Sequence, residues 1–495
     1  MRQLFEKKSP ERLKTLHWES TSEPTGRFCY FLGSPETSSS RFNSLTSVMG
    51  FKGRQRLESR SGVICDSHFF SGKSADELLN GIRKAIGTIT SDGDACGLNQ
   101  LAVFLDFSNE WAQLVSLETL LTVVSETLEM SLYSAKKIEH KNEMIVNLML
   151  PIAVTKDLSN ESIESALAEG IQRGKSFNYA RYLGDLPANT LYPQSFATLV
   201  EERLASLGQV TILDDKELES QGFGGLIAVG KGSKNKPRLA IFEAGPKHSE
   251  KTIVLVGKGV TFDTGGYSIK QKQHHNEMKY DMCGAANVLA ALEILAPRNT
   301  HVRIIGLFVL AENMVSADAQ RPGDVYKAYN GKTIEVYNTD AEGRLMLADA
   351  LAFAHTFNPT AVIDIATLTG GASHIAGNMA GILCTNDDSQ LSMLKSATRA
   401  AGEKFVHLEI LDEALEDLSS EVADLTNMHN KWSSGAPTMY AAAFLKEFVP
   451  SNTLWVHLDI ANVAWSPRSN PYLKGRGATS FGARSLINIV SALCL

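Results

Sequence analysis

From Arg238 onward, apolar runs of strand length recur at regular intervals, with helical segments between them. Leu239–Phe242, Thr252–Val256, Val302–Leu310, Thr333–Tyr337, Ala361–Ile365 and Thr453–Ile460 are the strand candidates, and helices are predicted over 284–296, 343–357 and 438–448. Strands that are apolar along their whole length must be covered on both faces, and the intervening helices supply that cover. The pattern therefore predicts an α/β fold with a mainly parallel central sheet. Ligands of such sheets bind beyond the carboxyl ends of the strands. Polar residues gather there: Lys258 and Asp263 after Val256, Glu312 and Asn313 after Leu310, Asp340 and Glu342 after Tyr337, Thr367 and Thr369 after Ile365, and Asp459 within the last strand.

Upstream, Leu101–Phe107 and Met144–Pro151 read as strands around a helical 111–135 segment, a smaller α/β unit. The predicted organisation is an N-terminal α/β domain over 1–158, a connecting helix over 159–186 that starts with capping chemistry at Ser159, and a C-terminal domain over 187–495. A length of 495 residues with 43% apolar and 21% charged side chains suits two globular domains. Lys and Arg total 48 against 55 Asp and Glu, so the net charge of −7 gives no support for a nucleic-acid partner. Six cysteines without a C-x-x-C pair fit a reducing compartment. The amino terminus lacks an apolar leader core and no window is apolar enough to span a bilayer, so the expectation is a cytoplasmic protein without a membrane partner.

The densest polar motif is Val336–Leu347, in which an apolar run leads into Asp340, Glu342, Gly343 and Arg344. Carboxylates two residues apart in extended chain project to one side, as a divalent cation requires. The competing reading is a capping box, Thr339 paired with Glu342 ahead of a helix. Val256–Gly266 sets Lys258 and Asp263 in a glycine-rich turn, yet neither the P-loop nor the G-x-G-x-x-G spacing is present, which disfavours phosphate. Asp281 alone would be an ordinary helix N-cap. Together, Asp263, Asp281, Asp340 and Glu342 supply four carboxylates from separate strand-to-helix junctions, the donor set of a two-cation site. Lys258 and Lys270 lie in the same region, either as counter-ions or as a nitrogen ligand and an electrophile, and the residues alone leave their roles open.

The segments GKGVTFDTGG, MKYDMCGAAN, ENMVSADAQRPGDVYKAYNGKTIEVYNTDAEGRL, ATLTGG and HLDIAN occur in this order. In this the chain resembles the leucyl aminopeptidase family of two-metal (M17-type) exopeptidases over roughly residues 175–490. The resemblance implies a catalytic metallopeptidase domain that removes amino-terminal residues from short peptides. It implies one metal on Lys258, Asp263, Asp281 and Glu342, and a second on Asp263, Asp340 and Glu342 with the Asp340 carbonyl. The metals would be Zn²⁺, with Mn²⁺ or Mg²⁺ at the exchangeable position. Lys270 would polarise the scissile carbonyl, and Arg344 would hold a bicarbonate that acts as general base. Met278, Thr367, Leu368, Gly370, Ala461 and Ala464 would line the side-chain pocket, with Ala464 standing where the family often carries methionine. A homohexamer is implied as well. Departures from the family pattern are few: Cys283 replaces a glycine and is expected to be a small buried hydrophobe, and His274–His275 are expected to be an exposed loop pair. Trp455 is expected in the core, while Trp432 and Trp465 suit either core or subunit contact. Two rivals are a two-metal phosphoesterase and a non-catalytic scaffold.

Overall fold

The computed structural model describes residues 13–21, 28–33, 64–69, 74–95, 100–105, 107, 109–133, 144–151, 155, 158–298, 301–429, 436–450, 452–466, 473 and 476–494. These residues fall into two compact units, and the chain passes from one to the other between Asn178 and Tyr179, inside the helix Asn160–Asp185.

The first unit is a five-stranded, all-parallel sheet. Its strands are β1 (Leu13–Thr21), β2 (Phe28–Gly33), β3 (Ile64–Phe69), β4 (Gln100–Leu105) and β5 (Met144–Pro151), in the order β1-β5-β4-β2-β3. Leu78, Ile82, Ile86 and Ile89 recur at helical spacing on Ala75–Ala95 and join Leu120, Leu121, Val124 and Leu128 of the helix Leu117–Leu132 in one apolar cluster. Ser116 caps the latter helix by accepting the Thr119 N–H. Glycines at 170 and 174 let Asn160–Asp185 lie against it. A Cβ at Gly170 would sit 2.0 Å from Ser125 Oγ, so only glycine permits that approach.

The second unit is built on an eight-stranded sheet. Its strands are β6 (Gln209–Leu213), β7 (Arg238–Ala244), β8 (Thr252–Asp263), β9 (Arg303–Asn313), β12 (Ala361–Ala366), β13 (Gly381–Thr385), β14 (Phe405–His407) and β16 (Leu454–Asp459), in the order β14-β13-β16-β12-β8-β9-β7-β6. The four central strands, β16, β12, β8 and β9, are mutually parallel, and β13, β7 and β6 join through antiparallel ladders. The mainly parallel prediction thus holds where the sheet is buried and gives way at its flanks.

One predicted strand belongs elsewhere. Thr333–Tyr337 does not enter the central sheet: its first three residues form β11 (Thr333–Glu335), which pairs with β10 (Val325–Lys327) and β15 (Leu425–Thr426) in a small separate sheet. Asp340 and Glu342 therefore do not follow a central strand. They come to the carboxyl edge on the loop from β11 into the helix Glu342–Ala354.

Period-two alternation sends successive β8 side chains to opposite faces. Val254 and Val256 pack in one cluster with Leu345 and Ala348 of Glu342–Ala354 and with Phe444 of the helix Pro437–Lys446. On the other face the helix Cys283–Leu295 comes so close that a Cβ on Gly257 would lie 2.5 Å from Ala285 Cα, and one on Gly284 would lie 2.2 Å from the Ile365 carbonyl. That backbone-to-backbone approach places Asp281, just ahead of the helix, over β8. Cys283 is buried and free, as expected of a small apolar residue, and burial pushes its thiol well above the ordinary range. Trp455 is fully buried and its indole N–H donates to Asp364 Oδ2 at 2.7 Å, consistent with a core role. Trp465 is half-buried against Tyr280, and Trp432 lies outside the described residues.

Candidate metal centre

The strands β8 and β9 pair to their carboxyl ends through a register shift between Val260 and Phe262, beyond which Asp263 pairs with Asn313. Beyond Asp263 the chain turns through Gly265 (φ 86°) and Gly266 (φ 62°), a left-handed pair that only glycine adopts without strain. The turn folds the Gly265 N–H back onto Asp263 Oδ1 at 2.8 Å and leaves room for a neighbour, since a Cβ on Gly265 would meet Asp340 Oδ1 at 2.8 Å.

Thr339 decides between the two readings of the Val336–Leu347 motif. Its hydroxyl donates to the Gly265 carbonyl at 2.6 Å and accepts the Ser268 N–H at 2.7 Å, and it makes no cap on the following helix. Glu342 reaches sideways to Lys258 Nζ at 2.8 Å instead of back to a cap amide. Asp281 likewise does not cap the helix Cys283–Leu295; its carboxylate accepts from Lys258 Nζ and from Thr367 Oγ1, each at 2.8 Å. Lys258 also donates to the Thr367 carbonyl at 2.8 Å. Lys270 bridges Asp263 Oδ2 at 2.7 Å and Asp340 Oδ1 at 2.5 Å. Among the described residues, Asp263, Asp340 and Glu342 each offer an oxygen within 4.8 Å of the others. All four carboxylates and both lysines thus meet in one cluster.

The electrostatics follow from four acids facing two ammonium groups in a buried space. Burial raises the pKa of Asp263, Asp281 and Asp340, the last to about 7, and the neighbouring carboxylates push in the same direction. Glu342 alone is held low: burial opposes its charge, but Lys258 and Lys270 outweigh it. Burial also opposes the charge on each lysine, and the surrounding carboxylates more than compensate, so both ammonium groups titrate above their ordinary range.

Residues 178–487 match the catalytic domain of the cytosol aminopeptidase family. The chain belongs to that family. It is 40% identical to the probable cytosol aminopeptidase of Desulfovibrio desulfuricans over 371 residues, 74% of this chain and 73% of that protein. Its likeness to the counterpart from Cenarchaeum symbiosum is 38% over 448 residues, 88% of each chain. Among solved structures, the bottromycin maturation enzyme BotP in complex with Mn is similar with a TM-score of 0.82 and 30% identity, across 95% of this chain and all of that one. The protein is accordingly an enzyme, a hydrolase of the leucyl aminopeptidase type.

For a cytosol aminopeptidase the donor set must accept divalent cations, and three features fit. The acids outnumber the lysines, so the cluster is short of positive charge. Asp281 Oδ2 is buried without a hydrogen-bond partner. Oxygen-rich, carboxylate-dominated sites are what hard or borderline divalent ions bind. Arg344 is buried on the first turn of Glu342–Ala354; its Nη1 donates to the Asn427 carbonyl at 2.8 Å while its Nε has no hydrogen-bond partner. Burial lowers its pKa to about 10, which leaves it cationic at neutral pH and fit to hold a small anion.

The expected pocket residues fall on three loops. Met278 opens the turn that ends at Tyr280, Thr367, Leu368 and Gly370 follow β12, and Ala461 and Ala464 follow β16. Thr367 is tied to Asp281, Leu368 and Ala461 are half-buried, Gly370 is exposed, and Ala464 is buried. His274 is exposed and His275 half-buried, its Nε2 3.4 Å from the Thr264 carbonyl. Glu312 turns away from the cluster, bound to Ser233 Oγ at 2.6 Å and to Asn235.

One contributor escaped the sequence reading as a site residue. Asn313 donates from a single Nδ2 to Asp263 Oδ1 at 2.8 Å and to the Thr339 carbonyl at 2.9 Å, tying one acid of the cluster to the backbone beside Asp340. Its only signal was a polar residue closing an apolar strand.

Proposed function

We propose that this enzyme removes amino-terminal residues from short peptides at a two-cation centre in the cytoplasm, as a homohexamer. Lys258, Asp263, Asp281 and Glu342 would hold one ion, and Asp263, Asp340 and Glu342 the other, with Zn²⁺ as the resident metal and Mn²⁺ or Mg²⁺ able to exchange. Such ions acidify a shared water and polarise the carbonyl it attacks. The observation that carries the reading is the convergence of the four carboxylates about Lys258 and Lys270.

The chain's own residues then divide the work. Lys258 must give up its proton to serve as a nitrogen ligand, whereas Lys270, half-buried, keeps its charge and sets its ammonium against both Asp263 and Asp340. There its ammonium would steady an oxyanion. Arg344, with its Nε free for an anion, would hold the bicarbonate that supplies a general base. Substrate must offer a neutral α-amine, which restricts cleavage to the first peptide bond. No helix among the described residues is long and apolar enough to cross a membrane.

The decisive experiment is hydrolysis of fluorogenic aminoacyl amides by protein depleted of metal, before and after Zn²⁺ or Mn²⁺ is restored. Activity should vanish and return, and N-acetylated amides should stay intact. Turnover that survives exhaustive chelation, or equal cleavage of acetylated and free substrates, would refute the proposal.

A further inference from the structure

Asp459 ends β16 with no solvent exposure and plays no part in the chemistry above. Its Oδ1 accepts the backbone N–H groups of Leu368 at 3.2 Å, Thr369 at 3.5 Å and Ala461 at 3.1 Å. Its Oδ2 accepts the Thr369 hydroxyl at 2.6 Å, and that hydroxyl also lies 2.8 Å from Thr438 Oγ1. One carboxylate therefore gathers amides from two different loops, the one after β12 and the one after β16. Those loops carry Thr367, Leu368, Gly370, Ala461 and Ala464.

A second group acts on the same residue, Ala461. The Tyr280 hydroxyl donates to the Ala461 carbonyl at 3.2 Å, so the residue is held at its N–H by Asp459 and at its C=O by Tyr280. Tyr280 directly precedes Asp281, whose carboxylate binds Thr367. The two loops are thus braced against each other and against the turn that bears a cluster carboxylate. Hydrogen bonds to a buried carboxylate are the stronger class, and leaving several backbone amides without an acceptor is costly.

We infer that Asp459 is a specificity-determining positioning residue: by clamping the Leu368–Thr369 and Ala461 amides it sets the width of the pocket for the first substrate side chain. The inference rests on the aminopeptidase reading and on the pocket that reading implies. A carboxylate that merely steadied strand ends would affect all substrates alike, whereas a clamp on opposing walls affects them according to side-chain size.

The test is kcat and KM for alanyl, leucyl and phenylalanyl amides of one fluorophore, measured on the metal-loaded full-length wild type and on Asp459→Asn. The substituted amide offers one acceptor oxygen in place of two and sets an NH₂ toward Thr369. The ratio of kcat/KM between leucyl and alanyl amides should shift by about tenfold, the scale of a small change in pocket fit, and KM should carry most of it. Bound metal per subunit should stay at the wild-type level. Tyr280→Phe, which removes only the hydroxyl, should shift the ratio in the same direction by a smaller factor, and it decides the matter if Asp459→Asn does not fold. Ratios within twofold of wild type overturn the inference, whether absolute rates hold or fall uniformly. A wild type that cleaves none of the amides overturns the aminopeptidase reading and this inference with it; a wild type whose selectivity passes unchanged into the variants overturns the inference alone.

Discussion

Replacing Asn313 with alanine tests whether the metal centre depends on a residue that is not itself a ligand. Asn313 Nδ2 makes two bonds, to the Asp263 carboxylate at 2.8 Å and to the Thr339 carbonyl at 2.9 Å. A hydrogen bond to a charged group contributes about 1.5–3 kcal/mol and a neutral one about 0.5–1.5 kcal/mol. Their joint loss is therefore about 2–4.5 kcal/mol, with the Thr339 carbonyl losing its Asn313 donor beside the cluster. Asp263 would keep the Gly265 N–H on Oδ1 and Lys270 on Oδ2, so the carboxylate should loosen rather than leave.

Only part of that energy reaches the ions. Loss of an outer partner of a ligand typically weakens metal affinity by about 10–100-fold. Competition of the loaded variant against a zinc chelator of known affinity should show a fall in that range, with far-ultraviolet circular dichroism unchanged. Asn313→Asp should fall further, because a second carboxylate in register with Asp263 replaces a donor with a like charge. A chelator midpoint for Asn313→Ala within twofold of wild type would refute the reasoning, because the carboxamide would then not orient the carboxylate.

Other perturbations have equally definite outcomes. Lys270→Ala should lower kcat by about 10²–10³ while metal content measured by atomic emission is retained, since the lysine is proposed to stabilise charge rather than bind metal. Gly343→Ala would place a Cβ 2.6 Å from Lys258 Cε, so it should displace that side chain and weaken metal binding by at least about tenfold, read by the same chelator competition. Gly284→Ala meets the Ile365 carbonyl at 2.2 Å and should destabilise the protein by about 1–3 kcal/mol in thermal melts, through forced separation of helix and sheet. Burial raises the pKa of Asp349 to about 7 from 3.8, against the pull of the Leu226 and Tyr329 amides it accepts. The folded state therefore holds the extra proton, and this residue's contribution to stability is complete below about pH 3.8 and lost as pH rises through about 7. Urea unfolding at pH 5 and pH 8 should show a smaller difference in Asp349→Asn than in wild type.

What could be read before the fold was known, and what could not, divides along the range of the interaction that carries it. The central strands were legible because continuous apolar runs announce two-sided burial locally. Thr333–Tyr337 has the same apolar character, yet its place depends on pairing with Val325–Lys327 and Leu425–Thr426, and nothing within the segment names those partners. The acids that cluster at the proposed metal centre were legible because each lies in a short motif whose charge density is hard to explain by packing. The capping-box alternative, equally plausible on spacing, fails for a non-local reason: Gly265 and Ser268 occupy the Thr339 hydroxyl from more than seventy residues away.

Asn313 and Asp459 show the limit most sharply. Each closes an apolar strand, where a polar residue is ordinary, and each gains its role only from a neighbouring strand: β8 sets Asp263 opposite Asn313, and β12 sets Ala366 opposite Asp459, just ahead of the Leu368–Thr369 amides. Parallel ladders join segments distant in sequence, so the groups that orient a site at the carboxyl edge are contributed by strand order rather than by motif. Candidate ligands can therefore be picked out from short-range pattern, whereas the residues that would hold them and the proposed pocket walls in place become visible only when register is known. That asymmetry is why the perturbations of greatest diagnostic value here are Asn313→Ala and Asp459→Asn, two changes outside the proposed ligand set that separate a correctly placed cluster of acids from a working centre.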